Sequence, residues 1–191
     1  MARRFLILVF VLVVLNGQAQ LMVNEACSKN LGHIQDGADG SPEWIELYNP
    51  SSESILLGGY HLSDDPQRPD RWPLPSLALE GGAYLVIFHG MDNSDGLHFP
   101  FKLDAAGEML ILSTPTFERA DEFLVPELLP DHSAARSSDG VIRIHALPTP
   151  GAANSSTAYL GYAPTPRFSA SPGFKNAPLH VGITTCADCT V

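Results

Sequence analysis

The feature that most constrains this chain is a recurrence of short apolar runs, set apart by turn residues, with no amphipathic helical stretch of useful length among them. Trp44-Ile45-Glu46-Leu47-Tyr48 is the clearest run, and Asn49-Pro50-Ser51-Ser52 ends it with turn chemistry. Leu21-Met22-Val23, Ser54 to Leu57, Tyr60 to Ser63, Tyr84 to Phe88, Glu108 to Leu112, Glu122 to Val125 and Val141 to Ile144 repeat the pattern. Gly58-Gly59 and Gly81-Gly82 punctuate it, and glycine and proline contribute 16 residues each. Strands this short and this regularly spaced predict an all-β sandwich. A chain of this size buries roughly two-thirds of its unfolded surface, so one core can stand without covalent staples.

The two ends read differently. Arg3-Arg4 precedes Phe5 to Leu15, which carry no polar side chain, and Gly17-Gln18-Ala19 places small residues where a signal peptidase reads. A membrane span needs roughly 20 apolar residues, and Asn16 ends this run too early. Residues 1–19 are therefore expected to be a cleaved secretory signal, leaving no transmembrane segment in the mature chain. The body spans 20–154. A Ser/Thr- and Pro-containing linker follows over 155–166, with Ala163-Pro164-Thr165-Pro166 stiffening it. Residues 167–191 resume β-like alternation in Leu179-His180-Val181-Gly182-Ile183, as the start of a second β domain that is cut short.

The formal net charge is −10, and it becomes more negative once Arg3 and Arg4 leave with the leader. With no Lys/Arg cluster, the chain repels phosphate backbones, which argues against nucleic-acid partners. The three cysteines are Cys27, Cys186 and Cys189. A single C-x-x-C at Cys186-Ala-Asp-Cys189 lacks the further soft ligands of a zinc site and the βαβ setting of a redox motif. Two small residues that can oxidise after export is the simpler reading.

Several residues invite a chemical reading. Glu43 and Glu46 lie three apart in a strand, where side chains alternate faces. Trp44, Glu46 and Tyr48 then share one face and Glu43, Ile45 and Leu47 the other. A glycosidase pair must converge at ~5–10 Å across a substrate, so these two are expected to be structural (Glu46) and superficial (Glu43). Asp36, Asp39, Asp64, Asp65 and Asp70 sit in two loops, the first freed by Gly37 and Gly40. They are candidate calcium ligands, since Ca²⁺ takes 6–8 oxygens from such loops, although the EF-hand spacing is missing and Asp is common in turns. Of the aromatic residues Trp44, Trp72, Tyr48 and Tyr60, Trp72 in Arg71-Trp72-Pro73 is the most exposed-looking candidate for stacking on a ligand, with covering one end of the sandwich as the alternative. The seven histidines form no H-E-x-x-H pair, and neither a G-x-S-x-G elbow nor a phosphate loop is present.

A set of blocks in order along the body carries a family resemblance. They are Asn24 to Asn30, Glu43 to Asn49, Gly59 to Asp65, Arg71 to Pro75, Gly81 to Val86, Phe101-Lys102-Leu103 with Gly107-Glu108, and Thr149-Pro150-Gly151-Ala152-Ala153-Asn154. Together they resemble the bacterial version of the lamin tail domain over residues 21–154. Pro166 to Phe168 and Gly173-Phe174 are similar to the small β-domain at the C-terminal end of chitobiases and hexosaminidases. The first resemblance implies an immunoglobulin-like sandwich with no catalytic residues, in a family whose bacterial members sit beside hydrolases, nucleases or CotH-type kinase domains of secreted or surface proteins. The expectation is a non-catalytic binding or structural module with no cofactor, acting on protein or polysaccharide at the cell envelope or outside the cell. The alternative is the N-terminal accessory domain of a longer exoenzyme whose catalytic domain lies outside this chain.

Overall fold

The computed structural model describes residues 20–37, 40–91 and 96–184. In chain order the strands are β1 (Met22–Cys27), β2 (Trp44–Tyr48), β3 (Ile55–Leu56), β4 (His61–Ser63), β5 (Trp72–Pro73), β6 (Ala78–Leu79), β7 (Tyr84–His89), β8 (His98–Phe99), β9 (Gly107–Ser113), β10 (Arg119–Pro126), β11 (Ser133–Arg136), β12 (Ile142–His145), β13 (Arg167–Phe168) and β14 (Ile183–Thr184). No helix occurs among the described residues. One sheet has the order β12-β11-β1-β2-β7-β8 and the other β10-β9-β4-β5, while β3-β6 and β13-β14 form separate pairs. Every pairing is antiparallel except β7 with β8. The chain passes back and forth between the two large sheets, which makes the body an immunoglobulin-like sandwich.

Alternation decides what lies between the sheets. From the six-stranded sheet Val23, Ala26, Ile45, Leu47, Ile87, Phe99, Ala134 and Ile144 enter the core; Leu62, Trp72, Leu110, Leu112, Phe123 and Val125 meet them from the other. Val23 and Ala26 both point inward although an even step would separate such a pair. A β-bulge between Val23 and Glu25 resolves this, because Val23 faces Leu47 while Glu25 faces Glu46. The extra residue breaks the period of two and turns Asn24 and Glu25 together away from the core.

The bulge leaves backbone groups that the β1–β2 ladder cannot satisfy, and side chains from β10 of the opposite sheet and from the neighbouring β11 supply partners. The Val23 N–H donates to Asp121 Oδ2 at 2.9 Å, and Arg136 Nε donates to the Val23 carbonyl at 3.2 Å. Arg136 also clasps both oxygens of Asp121, at 2.9 and 2.8 Å, and lies over the Phe123 ring. A buried N–H without an acceptor costs about 1–3 kcal/mol, so this ion pair acts as the plug of the bulge.

The strongly alternating runs fold as expected, and Trp44–Tyr48 has the expected bounds. Strands β5, β6, β8 and β11 carry no comparable signal. Ser133-Ala134-Ala135-Arg136 looks like loop, yet β11 lies between β1 and β12, with Ser133, Ala134 and Ala135 buried. Residues 158–162 fall in the expected linker but are held to the sandwich. Tyr159 exchanges two backbone hydrogen bonds with Ile144, at 2.8 and 2.9 Å, and the Tyr162 hydroxyl accepts from the Leu129 N–H. The leader, Asp39, Cys186 and Cys189 lie outside the described residues.

Candidate functional site

The densest polar cluster sits on the outer face of the six-stranded sheet, where the bulge has placed Asn24 and Glu25 beside Glu46. Glu25 and Glu46 are directly opposed across β1 and β2, and both are fully buried. What buries them is the segment leaving β12, Thr149 to Asn154. Glu25 accepts from the Ser133 hydroxyl, from the Thr149 N–H at 3.1 Å to each oxygen, and from the Thr149 hydroxyl at 3.2 Å. Glu46 accepts from Asn24 Nδ2 at 2.7 Å and from the Gly151 N–H. Asn154 completes the clasp. Its Nδ2 donates to Asn24 Oδ1 and to the Arg136 carbonyl, and its Oδ1 accepts from Asn24 Nδ2.

A carboxylate pair raises the question of acid–base chemistry, and the hydrogen bonds answer it. All four carboxylate oxygens already accept from the chain's own donors. Both carboxyl groups are fully buried beneath the Thr149 to Asn154 segment, which leaves a substrate no approach to them. Burial raises the Glu46 pKa to about 7 against the pull of the Gly151 and Asn24 donors, with the Glu25 charge adding to the rise. Burial likewise raises Glu25, opposed by Ser133 and Thr149. The arrangement is a latch that fastens the exit segment to the sheet. Sequence reasoning considered Glu43 with Glu46 and missed Glu25, because only the bulge and the strand register bring Glu25 to its partner.

The other candidates resolve one by one. Glu46 is the structural carboxylate expected of it, whereas Glu43 is half-buried and accepts from the Leu103 N–H at 2.6 Å, so its expected superficial role is corrected. Trp72 is corrected as well. It forms β5, pairs with Leu62 of β4, is 4% exposed, and meets Phe99 edge-on at 6.2 Å, which leaves no ring face for a ligand. Asp36 binds the His98 ring at 2.6 Å, Asp64 pairs with Arg71, and Asp65 accepts from the Gln67 N–H. Among the described residues no three His, Cys, Asp or Glu side chains converge as a metal site would require. Cys27 is buried, with its thiol pushed up to about 12 by burial. Burial, then the nearby Arg143 charge, lowers the His145 pKa.

A second feature lies at the end of the sandwich where β1 begins. Tyr48 and Tyr84, partners across β2 and β7, stack with ring centroids 4.5 Å apart and planes 19° from parallel. Both remain half-buried. Beside them opens a cleft of about 250 Å³, walled by Arg136-Ser137-Ser138 and by Ala153-Asn154. A hollow of about 320 Å³ adjoins it and shares Ser137, Ser138 and Asn154, with Asp139, Arg143, Ser155 and Ser156 as further lining. The latch also fixes Asn154, which lines both hollows.

A lamin tail domain family model matches residues 17–125. No curated protein and no solved structure matches the chain.

Proposed function

Because the chain belongs to the lamin tail domain family, we propose that it is a non-catalytic binding or structural module, exported to the cell surface or beyond, that works through the loops and strand edges of its sandwich. The observation that carries this reading is the complete engagement of Glu25 and Glu46: the buried carboxylates that could have served as acid and base hold the fold together instead. Export rests on the leader pattern of residues 1–19. The acidic charge and the absence of basic clusters point to protein or polysaccharide partners rather than nucleic acid. The test is to express the chain with its leader, sequence the N-terminus of the exported product, and measure its co-sedimentation with envelope fractions. Retention on envelopes by an exported chain starting near Gln20 is the expected result. Turnover of glycoside, phosphoester or peptide substrates that vanishes in Glu46→Gln would overturn it.

A second reading makes the same sandwich an accessory domain of a longer exoenzyme. It is favoured by the segment after Pro166, where Phe168, Phe174, Leu179, Val181 and Ile183 are all exposed around the short β13–β14 pair. An isolated strand pair is marginal in water, and a further domain would cover these side chains. Coding sequence that runs past Val191 into a hydrolase-like or kinase-like domain supports this reading, and a stop codon there refutes it.

A further inference from the structure

We infer that the two joined hollows beside Tyr48 and Tyr84 form a binding groove for a neutral polysaccharide chain. The inference rests on the binding-module reading and names its ligand class. The charges lining the groove favour a neutral ligand. Arg143 is gripped by both oxygens of Asp139, at 2.7 Å each, and Arg136 is clasped by Asp121. Each cation in the groove wall thus arrives with its own carboxylate, and no uncompensated positive charge faces the cavity. A phosphate or uronate would meet a neutral wall on a strongly acidic chain, whereas an uncharged ligand meets no penalty.

The hydrogen-bonding groups of the lining favour a sugar. Ser137, Ser138 and Ser156 bring hydroxyls to the lining, and Asn154 brings an amide. A hydroxyl is one donor and two acceptors, and an amide offers both. Sugar hydroxyls have the same dual character and are satisfied by such groups, while an apolar peptide side chain would strand them. Tyrosine presents an apolar ring with a polar tip, and the Tyr48–Tyr84 pair places two such rings beside Met22 in a hollow that Ser137, Ser138 and Asn154 also line. One face of a pyranose is lined by C–H bonds and its rim by hydroxyls, which matches an aromatic floor with a polar wall. Two hollows sharing Ser137, Ser138 and Asn154 suit successive units of a chain better than one small molecule.

The test is calorimetric titration of the full mature chain with cellopentaose, xylopentaose, chitopentaose and maltopentaose, with pentagalacturonate as the charged control. At least one neutral pentasaccharide is expected to bind. Tyr84→Ala should weaken it about tenfold, a loss of ordinary size for one well-placed contact, and Tyr84→Phe should largely restore it. Ser156→Trp, at an exposed position, fills the polar hollow without touching the core and should also weaken binding about tenfold. Thermal melts confirm that each variant is folded; should Tyr84→Ala fail to fold, Ser156→Trp carries the test alone. No binding of any neutral sugar, unchanged binding in Ser156→Trp, or preference for pentagalacturonate overturns the inference. A chain that sediments with envelopes yet titrates with no sugar refutes the ligand class alone, whereas loss of both refutes the module reading with it.

Discussion

Replacing Glu46 by alanine tests whether the exit segment is fastened by the buried carboxylates. The substitution strips the Gly151 N–H of its acceptor and takes one of the acceptors of Asn24 Nδ2, which keeps Asn154 Oδ1 at 3.0 Å. An orphaned buried donor costs about 1–3 kcal/mol. Gly151 itself is exposed, so water takes up part of its loss, and the two losses together amount to about 3 kcal/mol. Against this, Glu25 is freed of a like charge across the ladder, a relief of about 1 kcal/mol. The balance is a destabilisation of about 2 kcal/mol, or roughly 8 °C in Tm for a domain of this size. Urea denaturation at pH 7.5 measures the loss, and amide hydrogen exchange at Gly151 locates it, since that N–H should lose its protection. Glu53→Ala, at an exposed carboxylate, serves as the control and should stay within about 0.5 kcal/mol of the parent. A Glu46→Ala protein within about 1 kcal/mol of the parent, with Gly151 still protected, would refute the latch.

Stability should also depend on pH in a definite direction. The folded Glu46 keeps its proton to about 7 while the unfolded carboxyl releases it near 4.5, so between these values the folded state binds more protons. Stability therefore falls as pH rises from about 4.5 to about 7, by at most about 1.4 kcal/mol per pH unit for this group, and levels off above. Glu25, also raised, acts with the same sign. Urea midpoints across that range should fall, Glu46→Gln should flatten part of the slope, and a rising midpoint would contradict the assignment. Trp72→Ala, which empties a core site, should cost about 3–5 kcal/mol, measured by the same denaturation. The milder Trp72→Phe should leave any sugar titration unchanged, and a lost titration would return Trp72 to the ligand surface. Cys27, buried with its thiol raised to about 12, should resist iodoacetamide in the native protein and react at once in urea; fast native labelling would show the β1 end to be open.

Much of the architecture could be read locally. A short, mostly apolar run bounded by turn residues marks a strand, and Trp44 to Tyr48 or Met109 to Leu112 show it without reference to the rest of the chain. The turn residues between such runs carry their own backbone preferences, so the sandwich class and the strongest strands follow from short windows. Strands that write no such pattern escaped. β11 is Ser-Ala-Ala-Arg, with no bulky or β-branched residue to announce a strand, and only its pairing with β1 and β12 makes it one. β5 is two residues long, so Trp72 looks like a loop residue until its pairing with β4 is known.

The amino-acid order by itself determined the all-β class, the strongest strands and the lamin-tail identity, because each rests on patterns contained within a few neighbouring residues. Only the tertiary structure decided which polar residues meet. Glu25 opposes Glu46 because a single bulged residue shifts the register of β1, and Thr149, Gly151 and Asn154 reach them from the far end of the domain. Tyr48, Ser137 and Asn154 share a groove for the same reason. Register and sheet closure are collective properties, in which a one-residue slip sends every side chain to the opposite face. No local stretch of sequence records that choice.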